Sequence, residues 1–301
     1  MFCGFATPLH STGDAIMPTL REKMKQEMRL RGFSLATQVS YLRGVVKLHD
    51  HYKRNPAKLT ELEIKRFLLT DANQRMAASS YNIIVYGLKF FYGVVLNNPI
   101  IAMKLPRRHE PQQLPDILSA SEVERIIKAT THIKYRTLFI LVYGAGLRAS
   151  EAASLRIGDI DRDRSAIHVR CGKGNKDRYV ILSPIMLNAL SIYWKQYRAK
   201  HQAISPHDND FIFLGSTKKV LSYSSIGTVY RSSKLKAGIK KQGGIHALRH
   251  AFATHALESG ADLFSIKHLL GHSSVSSTVR YLRMTDKTLQ QIQSPIEKLS
   301  L

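Results

Sequence analysis

The sequence predicts a mainly α protein in two parts: a four-helix domain, then a mixed α/β domain that is mostly helical with a small antiparallel sheet. Three observations predict it. Apolar residues recur at helical spacing through most of the chain. One turn-rich segment, Cys171-Gly-Lys-Gly-Asn-Lys-Asp177, sits between short β-branched runs and reads as a hairpin. Near the middle, residues 106–115 are polar, carry three prolines and show no periodicity, as an extended interdomain linker would.

Residues 1–17 read as a flexible leader, with Met17 a second possible start; they lack the basic and apolar regions of a signal peptide. The first domain spans 18–105. Leu20, Met24, Met28 and Leu30 mark one helix, broken at Gly32, and Val39, Leu42, Val45, Val46 and Leu48 mark the second. Leu62, Ile64, Phe67 and Leu68 give a third, and Ile83, Ile84, Leu88, Phe91 and Val94 a fourth. Tyr81, Tyr86, Phe90 and Tyr92 are expected in the core or rim of this bundle rather than on a base-stacking surface.

The second domain, 116–301, opens with Ser119-Ala-Ser-Glu122, a capping-box signature. An apolar run from Thr137 to Val142 ends at Gly144 and Gly146, and the hairpin follows. Helical patterns then cover residues 185–199, 224–237, 246–258 and 262–270, and residues 282–301 form a tail carrying Leu289, Ile292, Ile296 and Leu299.

The charge narrows the partner. Forty-five Lys and Arg against 22 Asp and Glu give +23, and the excess is spread over both domains: 15 basic against 6 acidic residues in 18–105, and 28 against 14 in 116–301. A folded chain this basic implies a polyanionic partner, nucleic acid foremost, and two basic domains suggest a clamp around it. Two cysteines, Cys3 and Cys171, make no disulfide framework, and no apolar run is long enough to span a membrane, so a cytoplasmic protein is expected.

Six positions and a tyrosine stand out for their chemistry. Arg148 and Glu151 lie in Gly-Leu-Arg-Ala-Ser-Glu, Lys173 in Gly-Lys-Gly-Asn-Lys, His246 and Arg249 in His-Ala-Leu-Arg-His, and His272 in Leu-Leu-Gly-His, nine residues before Tyr281. Arginine forks bind non-bridging phosphate oxygens while staying charged. A lysine among cations can give a proton to a leaving oxygen, and a tyrosine can attack phosphorus given a base or a cationic pocket. On a helix, His246, Arg249 and His250 share a face, as would Arg148 and Glu151. Gly271 should end one helix, and Ser273 or Ser274 could cap the next, carrying Tyr281. Taken singly, each of these residues has an ordinary structural use. Together and in this order they point to metal-free phosphodiester chemistry.

The ordered series resembles the tyrosine recombinase (phage integrase) family, and most closely its Xer-like and transposon-associated members. The stretch before the first helix is too short for a separate arm-binding domain. The resemblance covers nearly all the chain beyond the leader. It implies a core DNA-binding domain over 18–105 and a catalytic domain over 116–301. It further implies that Arg148 and Arg249 bind the scissile phosphate, Lys173 acts as general acid, and His246 assists proton transfer at Tyr281. His272 would hydrogen-bond the phosphate and Tyr281 would form a 3′-phosphotyrosine, while Glu151, by its own spacing, could orient Arg148 or a neighbouring basic residue in a supporting role. The substrate would be double-stranded DNA, with no metal, ATP or other cofactor. The tail would reach a neighbouring subunit in a tetramer on two DNA sites.

Three other readings stay open. A catalytically inactive DNA-binding protein fits the charge and the helices. A metal-dependent nuclease would use the i, i+4 pairs His246/His250 and His268/His272. A type IB topoisomerase would share the chemistry without the recombination.

Overall fold

The computed structural model describes residues 16–109, 116–170, 177–198, 207–215, 220–272 and 274, with side chains from Leu20 onward. The chain divides into two compact units, 1–112 and 113–301, each with its own apolar core.

The first unit is helical throughout. Its segments are α1 (Ile16–Leu30), α2 (Leu35–Tyr52), α3 (Glu61–Leu68), α4 (Asp71–Gln74), α5 (Ala78–Phe90) and α6 (Pro99–Lys104). The four expected helices are α1, α2, α3 and α5; the single turn α4 and the short α6 are too brief for a periodic signal. Local chemistry sets the starts. Ser34 caps α2, and Thr60 with Glu63 forms a reciprocal capping box on α3. Helix α5 runs on into a π-helical turn, Phe91–Val95.

Helices α2 and α5 cross backbone to backbone. A Cβ added at Gly87 would lie 2.6 Å from the Tyr41 carbonyl oxygen, and one at Gly44 would lie 3.2 Å from that of Ile84. Val45, Leu48, Ile64, Phe67, Val85 and Leu88 fill the space around this crossing. Tyr81, Phe90 and Tyr92 are buried as expected, and Tyr92 donates its buried hydroxyl to the Pro56 carbonyl at 2.7 Å. Tyr86 sits at the rim, exposed, and accepts a hydrogen bond from Arg107. The chain leaves this unit through a clasp: the Asn82 amide both accepts from the Arg108 N–H, at 2.9 Å, and donates to its carbonyl, at 3.0 Å. The Arg108 guanidinium lies over the Tyr81 ring, 3.9 Å from its centre.

The second unit contains α7 (Ala120–Ala129), α8 (Ile133–Gly144) and α9 (Ala149–Ala153), then the antiparallel sheet β1 (Ile160–Asp161), β2 (Ala166–Val169) and β3 (Arg178–Ile181). Helices α10 (Pro184–Tyr193), α11 (Tyr223–Lys236), α12 (His246–Glu258) and α13 (Leu263–Leu270) complete it. The capping box at Ser119 and Glu122 is present. The hairpin pairs Val169 with Arg178 and Ile167 with Val180, and β1 adds a short third strand. Helix α8, with Leu138, Phe139, Leu141 and Val142 all buried, runs through the core, which explains its featureless apolar sequence. Among the described residues, no helix is long and apolar enough to cross a membrane.

Candidate active site

The site is built where α9, β3, α12 and α13 meet. Arg148 is not on a helical face with Glu151, as the three-residue spacing suggests. It is the cap residue of α9 with extended backbone (φ −69°, ψ 148°), and Glu151, in the first turn, reaches back to accept its N–H at 2.8 Å. The spacing is right, but the reason is a cap rather than a shared face.

Glu151 is buried, and three guanidiniums surround its carboxylate. Arg148 Nη1 donates to Oε1 at 2.6 Å. Arg178 makes the two-pronged contact, Nη1 to Oε1 at 3.0 Å and Nη2 to Oε2 at 2.7 Å. Arg249 Nη1 stands 3.7 Å from Oε2. Burial alone would raise the Glu151 pKa, but the hydrogen bonds from Arg178 and from the Arg148 backbone, with the Arg178 charge, overcome it and hold it at about 2. Glu151 is therefore a fixed anion at any physiological pH. Three cations against one anion leave the cluster with surplus positive charge, suited to a phosphodiester whose charge grows as it is attacked.

The same three arginines grip the end of α13. Arg178 Nε donates to the Leu269 carbonyl at 2.8 Å, Arg249 Nη2 to that of Leu270, and Arg148 Nη2 to that of Gly271 at 3.4 Å. Carbonyls at a helix C-terminus lack partners within the helix and carry its negative dipole end, so three consecutive ones make a natural seat for cations. The turn that exposes them needs Gly271 in the left-handed region (φ +60°), and the His272 N–H closes it onto the Lys267 carbonyl at 3.1 Å. His272 is thus held next to the seat by its own backbone.

Arg249 is anchored on its other side by the Gly146 carbonyl, 2.7 Å from Nη1. Gly146 also has positive φ (+61°), and a Cβ there would fall 2.4 Å from the Phe252 ring. His246 opens α12 one turn before Arg249, so the two do share a face. Its outer edge is exposed, yet the protein around the ring desolvates it. That effect, then the charges of Arg249 and Arg148, lowers its pKa, with Glu151 opposing. His246 is therefore neutral near pH 7 and able to accept a proton.

The structure thus brings together Arg148, Glu151, His246, Arg249 and His272. Lys173 and Tyr281 lie outside the described residues, as do Ser273 and the tail. Sequence reading missed Arg178, although a signal was present. In the hairpin strand, positions 178 and 180 face inward and 179 and 181 outward, so the alternation buries an arginine beside Val180. A buried arginine needs an anion, and here Glu151 supplies it. His255 has a structural use: its Nδ1 lies 2.9 Å from the Tyr143 hydroxyl. Among the described residues, no group of three His, Cys, Asp or Glu side chains gathers as a metal site, so the i, i+4 histidines remain pairs.

Comparison with known proteins fits this arrangement. Residues 110–288 match the phage integrase family, and residues 20–102 match the phage integrase N-terminal SAM-like domain. A putative integrase/recombinase of Sinorhizobium fredii is 36% identical over 98% of this chain and 94% of its own. A tyrosine recombinase XerC from Oceanobacillus iheyensis is 33% identical, over 84% of this chain and 87% of its own. In fold, the XerH site-specific recombinase in a post-cleavage complex with its palindromic difH substrate superposes with a TM-score of 0.69. That likeness comes at 18% identity, over 91% of this chain and 83% of the other. The chain belongs to the phage integrase family and is a site-specific tyrosine recombinase, working by DNA strand transesterification.

Proposed function

We propose that this chain cuts and rejoins double-stranded DNA through a 3′-phosphotyrosine at Tyr281, with the cluster around Glu151 as its phosphate site. The observation that carries the proposal is the convergence of Arg148, His246 and Arg249 on one surplus of positive charge, with the His272 backbone held beside it.

The bond order is balanced without water or metal. The Tyr281 oxygen attacks phosphorus as the bond to the 5′-oxygen breaks; neutral His246 takes the phenolic proton, and Lys173 gives one to the departing 5′-oxygen. Arg148 and Arg249 stabilise the non-bridging oxygens, and His272 donates to one of them. Attack of a different 5′-hydroxyl on the phosphotyrosine reverses the sequence and joins the new strand. The energy of the broken bond is retained in the new phosphorus–tyrosine bond, so the cycle needs no ATP.

Residues 18–105 form the core DNA-binding domain and 106–115 the linker to the catalytic domain, 116–301. The protein works in the cytoplasm on mobile or circular DNA, by integration, excision or resolution. It assembles as a tetramer on two DNA sites, with tail 282–301 on a neighbouring subunit. The solved lambda integrase tetramer bound to a Holliday junction supports that assembly by analogy of fold.

The test is a covalent-adduct assay in excess EDTA, on nicked duplex enriched for binding from a random pool. The wild-type chain should form a denaturation-resistant adduct, and Tyr281→Phe should form none. Tight binding with no wild-type adduct would favour the inactive DNA-binding reading. An adduct that EDTA abolishes would favour a metal-dependent enzyme. An adduct with relaxation of supercoils but no strand exchange would favour a topoisomerase.

A further inference from the structure

We infer that Arg178 is a positioning residue for the phosphate site: it ties Glu151 to the end of α13, so that Arg148 and Arg249 are correctly placed. The inference rests on the assignment of Arg148 and Arg249 to the phosphate.

Geometry carries it. All three donor groups of the Arg178 guanidinium are used, and each is directed inward: Nη1 and Nη2 to the two oxygens of Glu151, Nε to the Leu269 carbonyl. Its side chain is 5% exposed against 19% for Arg148, and Arg249 is as buried as Arg178 at 5%, so exposure separates Arg178 from Arg148 alone. What sets Arg178 apart from Arg249 is its two-pronged hold on the Glu151 carboxylate, which Arg249 approaches only to 3.7 Å, and the positioning role rests on that hold. Only a planar fork can bridge a carboxylate two-pronged and still donate sideways; a lysine, a point charge on a flexible stem, cannot do both.

The surroundings are shaped to it. A Cβ at Gly271 would lie 3.1 Å from Arg178 Nη1 and 3.2 Å from Cδ and Cζ, so the bare glycine leaves the guanidinium its room. Arg178 is also the first residue of β3, and its pair with Val169 is the last of the hairpin before the connecting residues, which include Lys173. One side chain thus ties the strand that follows the lysine loop, the carboxylate that holds Arg148, and the helix end that seats all three arginines. The groups facing Glu151 are Arg148, Arg178, Arg249 and, at longer range, His246. Without Arg178 the carboxylate is shared by the two arginines meant for phosphate, and each is drawn toward it.

The experiment uses the full chain and its Arg178→Met and Arg178→Lys variants. Adduct formation with nicked duplex is timed from pH 5 to 9 (about this range spans the histidine titration), and duplex binding is measured alongside. Arg178→Met should slow adduct formation about 100-fold, as a misplaced catalytic group does, with binding retained. Arg178→Lys should recover part of the rate. Carboxyl carbon-13 NMR of the Met variant should also show the Glu151 titration moved to higher pH, because Glu151 loses its principal cation. A uniform loss at every pH, matched by a loss of folded protein, would reduce Arg178 to a packing residue and overturn the inference; so would a wild-type rate in the Met variant. Should the wild-type chain itself form no adduct, the site assignment fails. In that case carboxyl carbon-13 NMR of Glu151 still decides the positioning role: a raised titration in Arg178→Met supports it, and an unmoved one overturns it.

Discussion

The crossing of α2 and α5 in the first unit and the arginine cluster in the second are both close approaches, and they are made by opposite means. At the crossing, Gly44 and Gly87 let backbone meet backbone with apolar side chains packed around them. In the cluster, one carboxylate and three helix-end carbonyls are surrounded by guanidiniums. Apolar packing stabilises in proportion to area and is indifferent to direction. A buried ion cluster adds little net stability, because desolvation offsets most of the attraction, but it is severe about direction and about completeness. The first unit can therefore absorb substitutions that keep volume, while the second cannot lose a single charge at its centre without consequence.

The largest effect expected from this contrast is at Glu151. Glu151→Ala leaves the buried Arg178 and Arg249 without their anion and should cost about 3–5 kcal/mol in urea unfolding at pH 7. The folded carboxylate titrates at about 2 against an ordinary 4.5, so its contribution is complete above about pH 4.5 and is lost as the pH falls through 2. The gap between wild type and variant should accordingly close over that interval. A gap that persisted at pH 2 would mean that shape, and not charge, is what Glu151 supplies.

The next effect is at the crossing. Gly87→Ala places a methyl 2.6 Å from a backbone oxygen that cannot swing aside, and should lower stability by about 1–3 kcal/mol. A neutral result would show that α2 and α5 slide apart cheaply, and the contrast drawn above would fail.

The smallest effect is a control common to both units. Thr60 and Ser119 each head a reciprocal capping box, and replacing either by Ala should cost about 1 kcal/mol in the transition of its own unit. Unequal costs would show that one helix start is held mainly by its tertiary setting.

How legible all this was in the sequence differs by the kind of interaction. Helices α2, α3, α5, α12 and α13 were readable because burial on one face leaves a 3.6-residue trace, and Tyr81 and Tyr92 could be placed inside on the same ground. The neighbourhood of Arg148 and Glu151 was readable for a mistaken reason, since a cap and a helical face share a three-residue spacing. Arg178 was legible only through the strand alternation that turns it inward with Val180. The carbonyls of Gly146, Leu269, Leu270 and Gly271 left no trace, because every residue carries one and only the folded backbone decides which are unpartnered. The clasp of Asn82 on Arg108, 26 residues apart, was invisible for the same reason.

The end of α13 serves its unit as a common datum. Machined parts referenced to one surface inherit its error together, so their mutual spacing survives even when the surface itself is displaced. Arg148, Arg178 and Arg249 are referenced in this way to three successive carbonyls, whose separations are fixed by covalent geometry and by one helical turn. A small shift of α13 as a body can be followed by all three guanidiniums together, within the reach left by their bonds to Glu151 and Gly146. A change at one carbonyl, such as one that forces Gly271 out of its left-handed conformation, misaligns them relative to each other. Tolerance to rigid displacement and intolerance to local distortion are therefore two faces of one arrangement.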